Sequence, residues 1–149
     1  LVLFNYIEKH GEPLFEIINN SVDEQRKTFF VYGGTEVEDR EEVRLLTEQE
    51  NNAIIVASYG TFSTGINIKR LHNIVFASPS KSRIRNLQSI GRVLRVGNGK
   101  TIATLYDIAD DIGGQNYTLR HLNERVTIYN EENFKYEVIK VNLTASKQL

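Results

Sequence analysis

The chain has 149 residues, of which 40% are hydrophobic and 25% charged, and its formal net charge is −1. That is the make-up of an ordinary globular domain built on one core. No apolar run approaches the ~20 residues of a membrane-crossing helix, and without cysteine there is neither a disulfide framework nor a thiolate metal site. His10, His72 and His121 are too scattered to suggest a metal cluster, so no metal is expected from this chain alone.

Methionine is absent, no basic-then-apolar leader is present, and the first four residues are already apolar. The expectation is a piece of a longer protein, with whatever it completes lying upstream of Leu1. Charge is also unevenly spread. Residues 1–50 hold twelve acids, whereas residues 51–106 hold none and carry Lys69, Arg70, Lys81, Arg83, Arg85, Arg92, Arg95 and Lys100. Buried strands alone would exclude acids, but they would exclude these cations too, so the stretch reads as a surface for polyanions.

In chain order, a strand over 1–4 is followed by a helix reaching residue 20, with Pro13 in its early turns. A strand over 28–31 and a helix over 36–48 come next, then a strand over 53–57, a loop holding 61–67, and a strand over 73–77. A helix over 82–95 and a strand over 101–106 follow. The 53–57 and 73–77 runs are apolar without alternation, as strands covered on both faces must be. Strand and helix alternating in this way implies a parallel sheet, whose ligands sit beyond the carboxyl ends of the strands, in the loops after Phe4, Val31, Ala57 and Ala77. Leu119, Leu122, Val126 and Tyr129 mark an amphipathic helix, residues 134–143 look like an edge strand, and the last six residues look frayed.

The helix over 82–95 carries the strongest signal. At 100° per residue, Arg85, Gln88, Arg92 and Arg95 lie within roughly 80° of one another, beside an apolar arc of Ile84, Leu87, Ile90 and Leu94. Guanidinium groups stay charged and match two phosphate oxygens at once. A glycine at position 91 weakens a helix by ~1 kcal/mol unless close packing requires it, and close packing is therefore expected there.

Two other features imitate a nucleotide site. Gly99-Lys100-Thr101 resembles the end of a P-loop, but Leu94 stands where the first glycine belongs, and the segment follows a helix instead of opening one. Asp107, with Asp110 and Asp111 beyond it, imitates a magnesium-binding strand end; without a P-loop these acids read as structural or solvated. Arginines fit for a phosphate but no cradle to hold a nucleotide suggest a group supplied to a site on a second domain.

Gln88-x-x-Gly91-Arg92-x-x-Arg95 resembles motif VI of superfamily 2 helicases, and residues 57–67, Ala-Ser-Tyr-Gly-Thr-Phe-Ser-Thr-Gly-Ile-Asn, are similar to motif V. Leu1 to Asn5 resembles motif IV, and Val31-Tyr-Gly-Gly-Thr35 with Arg40 the segment after it. The resemblance covers about residues 1–111 and implies an α/β, RecA-like parallel sheet flanked by helices on both faces. Residues 112–149 are expected to add a C-terminal helix and edge strand packed on the same domain.

The family likeness further implies Arg92 and Arg95 as arginine fingers, with Gln88, Gly65 and Asn67 at the ATP site. Asn5, Tyr6, Gly33, Gly34, Ser58 and Thr61 are then the nucleic-acid contacts, mostly to backbone. ATP and Mg2+ would be held mainly by an N-terminal helicase domain of the same protein, acting on DNA or RNA in the cytoplasm, with no membrane partner. The family often has threonine at the place of Ser58, aspartate at that of Asn67, and one residue fewer between hydroxyl and glycine, so either Ser58 or Thr61 can be the phosphate contact. A free-standing nucleic-acid-binding module is the alternative. A small-molecule α/β enzyme lacks a nucleophile, base and orienter at recognisable spacing.

Overall fold

The computed structural model describes residues 1–65, 68, 71–78, 82, 87, 90–91, 102–113 and 117–143. Five strands, β1 (Val2–Phe4), β2 (Thr28–Val31), β3 (Ile54–Ser58), β4 (Asn73–Phe76) and β5 (Thr104–Asp107), form one sheet in the order β2-β3-β1-β4-β5. Every pairing is parallel. One row across the sheet runs Val31, Ala57, Leu3, Phe76, Asp107.

The first four members of that row are fully buried, and so are their neighbours Phe4 and Val56 on the opposite face. Successive side chains of a strand point to opposite faces, so burial of consecutive residues means that both faces are covered. This is the physical reason the strands read as unbroken apolar runs.

A π-helical turn, Ile7–Gly11, leads from β1 into helix α1, Glu12–Ser21, with Pro13 in its first turn, where a missing N–H costs nothing. Gly11 makes the turn possible. A Cβ there would stand 2.4 Å from the Phe4 ring, so only glycine lets the backbone lie on the strand end. Helix α2, Val37–Gln49, opens with Glu38 and Asp39 at its positive end and carries Arg44 between Glu41 and Glu48.

The segment expected as a loop over 61–67 is instead largely helical: α3 spans Tyr59–Gly65. Tyr59 and Phe62, one turn apart, are buried at 1% and 0% exposure, and their packing outweighs the poor helix propensity of Gly60. Of the helix expected over 82–95, four residues are described: Ser82 lies outside any helix, whereas Leu87, Ile90 and Gly91 are helical, with Ile90 in the same core cluster as Leu3 and Phe76. Gly91 is exposed, and among the described residues a Cβ added to it would meet nothing within 4 Å. Among the described residues nothing supplies the close packing expected at Gly91.

Helix α4, Tyr117–Glu131, buries Arg125, Ile128 and Tyr129. It stops at Asn133, which takes a left-handed φ of 56° while the Phe134 amide donates to the Tyr129 carbonyl. Beyond it the expected edge strand over 134–143 is not formed. Phe134 packs on the core and Tyr136 lies against Tyr129, but Val138, Ile139, Val141 and Leu143 are all at least 71% exposed. Alternating β-branched residues make a strand only where a neighbour accepts their backbone hydrogen bonds, and no described strand pairs with this segment.

Candidate functional site

The carboxyl ends of β1, β2 and β3 meet at one edge, and the turns that leave them enclose a solvent-open hollow of ≈ 430 Å³. Asn5, Ile7, Gly33, Arg40, Ser58, Gly60 and Thr61 line it. Asn5, Gly33, Ser58 and Thr61, read from three separate stretches of sequence, are thereby brought together. Tyr6, 69% exposed, lies in an adjoining hollow of ≈ 590 Å³ with Asn5, Ile7, Glu8 and Lys9. Gly34 does not line the first hollow. It lies under Tyr32, where a Cβ would come within 2.6 Å of the ring, so its demand for glycine is one of packing.

Ser58 and Thr61 are distinguished by burial. Ser58 ends β3 and is part-exposed, whereas Thr61, one turn into α3, is 3% exposed. Their hydroxyls share a hydrogen bond of 2.8 Å, and the Thr61 amide lies 3.4 Å from Ser58 Oγ. The buried hydroxyl thus orients the accessible one.

Sequence reading left Arg40 without a role, yet the geometry brings it into the hollow. Its Nε donates to the Thr35 carbonyl at 2.8 Å and its Nη2 to the Gly33 carbonyl at 3.2 Å, while the Thr35 hydroxyl accepts the Tyr32 amide at 3.0 Å. Among the described residues Arg40 forms no ion pair although acids surround it in sequence, and no described acid lines the hollow. Carbonyls fix the guanidinium in place without neutralising it, so its charge remains available to an anion. An arginine six residues past the Gly33-Gly34 pair was the available sequence signal.

On the far side of the sheet Asp107 is already engaged. Arg125, 0% exposed, donates through Nε and Nη2 to the two carboxylate oxygens at 2.7 Å each, and the Tyr129 hydroxyl donates to Oδ2 at 2.7 Å. Burial, and then the adjacent carboxylate, push the Tyr129 phenol well above its usual value of 10.0. Asp107 therefore acts structurally, while Asp110 and Asp111 are exposed. Among the described residues no group of three His, Asp or Glu is placed to hold a metal ion, and no helix is long and apolar enough to cross a membrane. Gly65 closes α3; Asn67, Gln88, Arg92 and Arg95 lie outside the described residues.

Residues 1–97 match the family described as the helicase conserved C-terminal domain. The chain is 41% identical over 155 aligned positions to the ATP-dependent DNA helicase uvsW of Enterobacteria phage T4; the match takes in 95% of the chain and 30% of that relative's length. In fold it is similar to the crystal structure of the C-terminal part of the Fun30 ATPase domain, with a TM-score of 0.59 at 19% identity, over 87% of this chain and 48% of that one. The RecA-like sheet, the order of its motifs and these matches together make the chain a member of the helicase C-terminal domain family.

Proposed function

We propose that this chain is the second motor domain of an ATP-dependent helicase that acts on DNA. The single observation that carries the reading is the convergence of Asn5, Gly33, Ser58 and Thr61 on one acid-free hollow around a fixed, unneutralised Arg40. Such a hollow suits a backbone phosphate. Arg40 supplies charge, the Ser58 hydroxyl and Asn5 amide supply hydrogen bonds, and Tyr6 offers a ring to a base beside it. Contacts of this kind grip one strand without reading its sequence and weaken as salt rises.

In this reading Arg92 and Arg95 act as arginine fingers toward an ATP and Mg2+ held mainly by an N-terminal motor domain of the same protein, with Gln88, Gly65 and Asn67 beside the nucleotide. Charge developing on the transferred phosphoryl group is stabilised by guanidinium groups that arrive only when the two domains close, which ties hydrolysis to movement. We extend the reading, through the relation to the phage enzyme, to remodelling of branched DNA in recombination and repair. A non-catalytic nucleic-acid-binding module accounts for the hollow but not for the glutamine–arginine spacing of residues 88–95.

The test joins this chain to the segment that precedes it. Alone it should turn over no ATP, and joined it should show DNA-stimulated hydrolysis that Arg95→Ala lowers by about 10³-fold or more. Full turnover in the joined Arg95→Ala protein would refute the finger assignment, and DNA binding indifferent to ATP would favour the non-catalytic module.

A further inference from the structure

Ser78, two residues past β4, is the last residue of the continuous described stretch before the segment that carries Gln88, Arg92 and Arg95. Among the described residues its partners come from β1 and the turn that follows. Its amide donates to the Leu3 carbonyl at 3.3 Å, its carbonyl accepts the Asn5 side-chain amide at 3.1 Å, and its hydroxyl shares a 2.6 Å hydrogen bond with Nδ1 of His10, either atom able to donate.

The other end of this connection is the edge of the hollow. The His10 and Gly11 amides both donate to the Tyr6 carbonyl, at 3.2 and 2.8 Å, and Gly11 rests on the Phe4 ring. A strand seated against Asn5 and Tyr6 therefore pulls on the same π-helical turn that holds Ser78. Turns of this kind, with one residue more than an α-helical turn, recur at functional sites.

We propose that His10 is a positioning residue, coupling occupancy of the hollow to the placement of the segment beyond Ser78. The proposal rests on the functional reading above and adds the route by which nucleic acid stimulates hydrolysis. His10 touches neither nucleic acid nor nucleotide; it acts through Ser78.

The experiment uses the full-length protein and a single-stranded DNA oligonucleotide. ATP turnover is measured with and without the oligonucleotide for wild type, His10→Ala, Ser78→Ala, the double variant and His10→Gln, alongside oligonucleotide Kd and melting temperature. His10→Ala should lower DNA-stimulated kcat about fivefold or more, the lower bound of ordinary coupling between sites, while unstimulated turnover, KM for ATP and oligonucleotide Kd stay unchanged. Ser78→Ala should do the same, and the double variant should lose no more than either single one, as expected of partners in one contact. The amide of His10→Gln should restore most of the stimulation. Undiminished stimulation in His10→Ala, or a loss shared equally by unstimulated turnover and melting temperature, would overturn the proposal. A wild-type protein that DNA does not stimulate would overturn the functional reading itself, and the coupling with it.

Discussion

Two arginines at the carboxyl edge of the same sheet meet opposite fates. Arg40 gives its hydrogen bonds to the carbonyls of Gly33 and Thr35 and keeps its charge, whereas Arg125 gives its own to the Asp107 carboxylate and is neutralised in the interior. The residue type is the same; the partner decides. A neutral anchor leaves a guanidinium aimed at solvent, available to a polyanion. A carboxylate anchor joins α4 to β5 and offsets the charge that a polyanion would need.

The sharpest way to break this contrast is Arg125→Met. It should cost about 3–5 kcal/mol of stability, because Asp107 is left as a buried charge without its partner, and the denaturant midpoint should fall accordingly. A nearly neutral result would mean that the ion pair is not the anchor. Arg40→Ala should do the reverse, weakening binding of a single-stranded oligonucleotide about tenfold, on the scale of a charge-assisted hydrogen bond. The salt dependence of binding should become shallower by about 0.7 in log–log slope, with the melting temperature little changed. Unaltered slope would remove Arg40 from the phosphate track.

The smallest effect concerns Tyr129. Its phenol is raised above 10.0 in the fold, so the unfolded chain gives up this proton first. The stability contributed by neutral Tyr129 is present below pH 10 and declines as pH climbs beyond it. In chemical unfolding followed from pH 9 to 11, wild type should weaken with a slope that Tyr129→Phe lacks. Equal slopes would show that the phenol does not feel the carboxylate.

The sheet and the hollow were legible in the sequence for different reasons. Runs such as residues 54–57 announce strands covered on both faces, because no polar residue interrupts them. The lining residues Asn5, Gly33, Ser58 and Thr61 were legible through motif order. Helix α3 was not, because Gly60 argues against a helix that only the burial of Tyr59 and Phe62 settles. Residues 134–143 misled in the other direction: a strand-like pattern is a local property, but a strand is a relation to a neighbour. Nor does any periodicity pair Asp107 with Arg125, since the apolar stripe of α4 marks Leu119, Leu122, Val126 and Tyr129 and passes over the arginine.

The place of β1 at the centre of the sheet has a consequence for how the protein comes into being. Val2 pairs with Val56 on one side and Val75 on the other. During synthesis the middle strand therefore precedes both of its partners, by more than fifty residues on the β3 side and more than seventy on the β4 side, and stays apolar and incompletely paired until β4 has followed. Such distant pairing slows folding and leaves a sticky ribbon exposed to other chains. Substitutions that soften β1 should thus show up in yield and aggregation during expression before they show up in the finished molecule.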